Sequence, residues 1–215
     1  MQIESSEYKL QPEGTHTAVL YQIIDMGTQQ NDFAGDIKRA RTAWINFELS
    51  HELMEDGRPY SIGKQYGLKS HPKSGFSGLV KALKGVAVDK NLDFKSLLAS
   101  ACNLTIEHAE KDDGSMKSKI VAITALKKGE VAPAPYNACQ IFDLDAFDQD
   151  QYNALPDWLR ERIALSPEYR FVMSHGGKNP PPIVRPSDTV SAPPTPPVSA
   201  YQQDLNDDLP ANMAR

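Results

Sequence analysis

The sequence predicts a mainly β fold: a five-stranded barrel with a helix between its third and fourth strands, then a C-terminal amphipathic helix and a disordered tail. Three observations carry this prediction. Apolar and polar residues alternate over five stretches within the first 130 positions. After the third stretch the spacing becomes helical. Eight of the 16 prolines fall between Pro180 and Pro197, where aromatic residues are nearly absent. The organisation expected is a barrel over 1–130, a linker and docking helix over 131–175, and a disordered Pro-rich tail with an acidic segment over 176–215.

Gly14 to Met26 reads as the first strand, with Val19, Tyr21 and Ile23 alternating, and Gly27 opens a polar break. In the second strand, Ile37 to Ser50, Ala43, Ile45, Phe47 and Leu49 share one face and Thr42, Trp44, Asn46 and Glu48 the other. Asp56-Gly57 turns the chain back into a third strand, Tyr60 to Leu68, where Gly63 and Gly67 suggest a bulge or bend. Phe76, Leu79, Val80 and Leu83 then share a helical face that Ser74 or Ser77 can cap and Gly85 can end. A short turn places Phe94, Leu97 and Leu98 together. Cys102 to His108 and Lys119 to Leu126 form strands four and five around the turn Asp112-Asp113-Gly114. A Pro-containing linker and an acidic stretch, Phe142 to Asp150, lead to a helix over Leu155 to Leu165. Leu155, Trp158, Leu159 and Ile163 share its docking side, and Ser166-Pro167 stops it. Three strands, a helix and two strands is the order of the OB-fold, whose barrel face binds oligonucleotides or oligosaccharides.

The net charge of −5 is unevenly divided. Residues 1–130 carry 17 Lys+Arg against 17 Asp+Glu, and residues 131–215 carry 6 against 11. Ile37 to Lys95 alone holds 11 against 6, so a basic middle faces an acidic end. Cys102 and Cys139 form no CxxC pair and sit in no zinc spacing, which fits a reducing cytosol. No apolar run follows Met1, and 18 apolar residues never occur together, so neither a signal peptide nor a membrane association is expected.

Catalytic patterns are missing. There is no GxSxG, Walker loop or GxGxxG, and the five histidines stand alone. Asp143, Asp145, Asp148 and Asp150 lack the glycine turn and closing glutamate of a calcium loop and read as helix caps. A non-enzymatic protein without metal or cofactor is expected; a metal-dependent nuclease using the acidic stretch is a weaker alternative.

Arg58-Pro59-Tyr60-Ser61-Ile62-Gly63-Lys64-Gln65-Tyr66, then Leu68 to Ser74, Leu97 to Cys102, Leu155-Pro156-Asp157-Trp158-Leu159 and Ser166-Pro167-Glu168-Tyr169 resemble a family of phage-encoded OB-fold single-stranded DNA-binding proteins. The likeness runs from about Tyr8 to Tyr169. It implies a place in phage replication or recombination, in the cytoplasm of an infected bacterial host. Asp204-Leu205-Asn206-Asp207-Asp208-Leu209-Pro210 is similar to the acidic tip by which bacterial single-stranded DNA-binding proteins recruit replication and repair partners. Here the terminal Phe of that pattern is missing, and Ala211 to Arg215 follow. Asp204, Asp207, Asp208, Leu209 and Pro210 are the residues that would meet such partners.

Binding single strands requires cations along the phosphates and π-faces under the bases. The expected constellation is Lys38, Arg39, Arg41 and Trp44 on the second strand, with Arg58, Tyr60, Lys64, Tyr66, Lys69 and Lys73 on and after the third. Each has a plainer reading: edge protection for the cations, a core place for Tyr60 or Tyr66, and cover by the C-terminal helix for Trp44. If these readings prevail, the barrel is a phage protein-interaction module that binds a recombinase or nuclease.

Overall fold

A computed structural model describes residues 9–176 apart from 34, 35, 90 and 112, and apart from the side chains of 31–38. The fold is mainly β. Strands β1 (Gly14–Phe33), β2 (Asp36–Leu53), β3 (Pro59–Gly67), β4 (Ala101–Glu110) and β5 (Met116–Thr124) form an antiparallel sheet in the order β3-β2-β1-β4-β5. A sixth strand, β6 (Gln140–Phe142), pairs parallel to β1. No ladder joins β3 to β5, so the sheet is open and these two strands are its edges.

β2 alternates as its sequence predicts. Ala43, Ile45, Phe47 and Leu49 enter the main core with Leu20, Ile62, Cys102, Leu104 and Ile106. Full burial of each such aliphatic side chain stabilises the fold by about 1.5–3 kcal/mol. Helix α1 (Gly75–Lys84) covers this core with Phe76, Leu79 and Val80. The Ser74 hydroxyl accepts from Ser77 N, and Gly85 ends the helix at φ 73°. A 3-10 turn, Phe94–Leu97, adds Leu97.

β1 runs through Gly27 instead of breaking there. Register shifts at Leu20/Gln22 and Asp25/Gly27 change which way its side chains point. Leu20 and Ile23 therefore serve the main core, whereas Ile24 and Met26 face the opposite side. Gly27 has φ 67°, and a Cβ there would lie 2.6 Å from the Ser166 side chain. β3, by contrast, has no bulge at its glycines, since Thr42–Glu48 pairs without interruption with Gly67–Ser61.

The opposite side of the sheet carries a second core. The chain after the linker forms β6, a 3-10 turn at Leu144–Ala146, and helices α2 (Gln149–Asn153), α3 (Asp157–Ala164) and α4 (Pro167–Ser174). Phe142, Leu144, Tyr152, Leu155, Leu159 and Ile163 pack on Ile24 and Met26. The expected single docking helix is thus one piece of a larger layer. β4 leaves the edge of β1 at Val19, and β6 takes the vacant positions Gln22–Ile24. Ser166-Pro167 stops α3 and also starts α4, because the Ser166 hydroxyl accepts from Tyr169 N and Pro167 suits a first helical turn. α4 is pinned to β1 where Glu168 accepts from Thr28 N at 2.9 Å and Thr28 Oγ1 at 2.6 Å. Asp143 and Asp148 cap the 3-10 turn and α2, as the acidic stretch predicts.

Candidate nucleic-acid interface

Trp44 faces away from the main core, as alternation on β2 requires. Its Nε1–H donates to Asn46 Oδ1 at 2.8 Å, and Asn46 Nδ2 donates to Gln22 Oε1 at 2.7 Å. The ring is not bare. Trp158 of α3 meets it edge-on, with centroids 4.8 Å apart and planes at 79°. The plainer reading of Trp44 therefore describes its place, and Trp158 remains 46% exposed, outside the docking side on which it was expected. A groove of about 710 Å³ lies along Trp44, Gln65, Trp158, Arg162 and Leu165.

The sequence-predicted cations divide into engaged and free. Arg41 is engaged. Its Nε and Nη2 donate to Asp25, its Nη1 lies 2.9 Å from Asp145 Oδ2, and Asp143 is 3.8 Å away. Burial opposes the Arg41 charge, but the bonds to Asp25 and Asp145 outweigh it and hold the guanidinium above its ordinary pKa. Burial pushes the Asp25 carboxyl up, against the bonds from Arg41 and Gly27 N. This cluster joins β1, β2 and the turn after β6, so Arg41 serves the fold. Arg58 pairs with Asp56 at 2.6 Å. Arg39, Lys69 and Lys73 are exposed and form no ion pair among the described residues. The side chain of Lys38 lies outside the described residues.

Tyr66 is a core residue, 4% exposed, and its buried hydroxyl has no hydrogen-bond partner among the described residues. Burial raises its pKa. Tyr60 is half-buried against the same core. Tyr66 therefore offers no open stacking face, whereas Tyr60 is partly exposed. Lys64 lies across the open seam between the sheet edges: its Nζ donates to Ile120 O of β5 at 2.9 Å and sits 5.8 Å from the Tyr66 ring centroid. Burial, and then the nearby charge of Lys119, lowers the Lys64 pKa. Gln11 spans the same seam further along. Its Nε2 donates to Ser61 O at 2.7 Å and its backbone N to Ser118 Oγ at 3.1 Å.

Beside the Lys64 bridge the seam opens into a cleft of about 400 Å³ between β3, α1 and β5, lined among others by Lys64, Gly67, Gly78, Phe76 and Val121. Lys69 and Lys73 follow Gly67 in the chain, Lys81 lies one turn beyond Gly78, and Lys119 is two residues before Val121. All four are exposed and without an ion pair among the described residues. Sequence reasoning singled out neither Lys119 nor Lys81 as a binding residue. A residue so far along the chain joins Lys64 only through tertiary structure, and the one local signal is its outward place beside Ile120.

Among the described residues no group of three or more His, Cys, Asp or Glu is placed to hold a metal ion. Cys102 is buried, and burial pushes its thiol up to about 12. No helix among the described residues is long and apolar enough to cross a membrane. The tail residues Asp204, Asp207, Asp208, Leu209 and Pro210 lie outside the described residues, as does the expected disordered tail, 176–215, from residue 177 on. No protein-family model matches the chain, and no curated protein matches it.

Proposed function

We propose that this protein is a non-enzymatic single-stranded DNA-binding protein of a phage replication or recombination system, with an OB-like body. One observation carries the reading: Lys64 spans the β3–β5 seam within reach of the Lys119 charge, Lys69, Lys73 and Lys81 follow in the chain the residues that line the cleft beside it, and none of the five forms an ion pair among the described residues. Neighbouring cations repel one another, and a phosphate chain neutralises them while releasing its own counterions. The sheet order, with β3 and β5 as facing edges bridged by Lys64 and Gln11, supports the OB-like assignment. Contacts of this kind are made to phosphates, so binding is blind to sequence. The acidic tail is proposed to recruit replication or recombination proteins.

Fluorescence anisotropy of labelled oligo-dT and of a matched duplex, at low and at physiological salt, tests the reading. We expect binding to oligo-dT that weakens steeply with salt, and much weaker duplex binding. Folded protein that leaves oligo-dT free at low salt would overturn it.

A specific observation favours a second reading. The groove beside Trp44 presents Trp158 at 46% and Leu165 at 61% exposure, with Arg162 donating to Gln65 at its edge. Exposed Trp, Leu and Arg together suit a protein hot spot better than a phosphate track. Under this reading the chain is an interaction module, and Trp158→Ala abolishes partner capture while no DNA affinity is found.

A further inference from the structure

We propose that the cleft between β3, α1 and β5 accepts an unpaired nucleobase, so that the protein grips a base as well as the phosphates. The inference rests on the single-stranded DNA reading and adds a subsite to it. The cleft has a volume of about 400 Å³, within the range of about 300–1,000 Å³ usual for small-ligand sites. Phe76 and Leu79, both buried, and the exposed Val121 supply its apolar lining, and Lys64 lines it as well. A cleft that is part apolar and part polar, with a lysine in its lining, suits a flat ring carrying a phosphate. Insertion of a peptide strand between the edges is disfavoured, because the Lys64 Nζ–Ile120 O bond already spans them at 2.9 Å.

The glycines of the wall add weight. Gly67 ends a strand and Gly78 lies inside a helix, where glycine is normally unfavourable. Neither has a positive φ, and a Cβ at either would meet nothing within 4 Å. Packing therefore gives no reason for a bare backbone at these positions. Close approach of a ligand does. Bases stacked within a duplex cannot enter such a slot, which accounts for a preference for single strands.

The test compares labelled oligo-dT with an abasic sugar-phosphate oligomer of equal length. Wild-type protein should bind oligo-dT roughly ten-fold or more tightly than the abasic chain. Gly78→Leu should bring the two affinities together while leaving abasic binding and its salt slope unchanged. Its melting temperature should match or exceed that of wild type, since the position is exposed and leucine favours helix. Trp158→Ala should keep the preference for bases. Equal wild-type affinities, a preference that survives Gly78→Leu, or one lost in Trp158→Ala would overturn the base slot and leave the phosphate reading standing. Wild-type protein that binds neither oligomer would overturn both.

Discussion

The indole of Trp44 lies across Gly63 on the neighbouring strand: a Cβ at Gly63 would come within 2.3 Å of Trp44 Nε1 and of Asn46 Oδ1. Asn46 is the cross-strand partner of Gly63, so the glycine makes room for both ends of the Trp44–Asn46 hydrogen bond. Gly63→Ala should therefore destabilise the protein by about 1–3 kcal/mol through overpacking. Urea unfolding should show a lower midpoint at unchanged m. Gly67→Ala is the contrast. Its Cβ meets nothing within 4 Å, and the midpoint should not fall.

Arg41 should behave as a structural residue. With Asp25 buried and dependent on it, Arg41→Ala leaves a carboxylate without its main partner and should cost about 3 kcal/mol of stability. The salt dependence of DNA binding, measured at a temperature where the variant is folded, should equal that of wild type. A shallower slope would return Arg41 to the phosphate track.

Lys69, Lys73 and Lys119 should each behave in the opposite way. Alanine at any of them should leave the melting temperature close to wild type, since all three are exposed and without an ion pair among the described residues. Each should make the slope of log affinity against log salt shallower by about 0.7, the value for one phosphate of a single strand. A titration series at four or more salt concentrations measures it.

Lys64 gives binding a pH dependence. Its folded pKa is lowered by burial and by Lys119, so the charged form is disfavoured in the fold. That cost is present below the folded pKa and is relieved as pH rises through it, which makes stability rise slightly in the window below the ordinary lysine value of about 10.4. DNA affinity should move the other way over the same window, because binding uses the charge. Lys64→Arg should move the onset of that loss to higher pH, since arginine stays protonated.

Glu48 is 1% exposed and accepts from Tyr136 N at 2.5 Å, Asn137 N at 2.9 Å and Asn137 Nδ2 at 2.7 Å. It tethers the linker to β2. Glu48→Ala strands three donors, and hydrogen exchange at 136 and 137 should accelerate far more than exchange within the main core. Equal acceleration in both places would mean that the substitution acts by global unfolding.

The elements whose causes are local were legible along the chain. Alternation in β2, the Asp56-Gly57 turn, the Ser74 and Gly85 caps of α1 and the Asp143 and Asp148 caps each depend on residues a few positions apart. The outward direction of Trp44 was legible for the same reason. Tertiary structure alone decided what that outward face would meet. Alternation tells which side of a sheet a residue occupies, but whether the side faces water or a second core depends on a segment a hundred residues away. Hence Arg41, an apparent phosphate contact in the sequence, is consumed by Asp25 and Asp145, and Trp44 is covered by Trp158. The bulges of β1 and the parallel strand β6 were equally hidden, because register shifts and vacant strand edges exist only once neighbouring strands have paired. The meeting of Lys64 with Lys119 across the seam is of the same kind: charge can be counted along a chain, but its concentration at one place is set by which edges the fold leaves face to face.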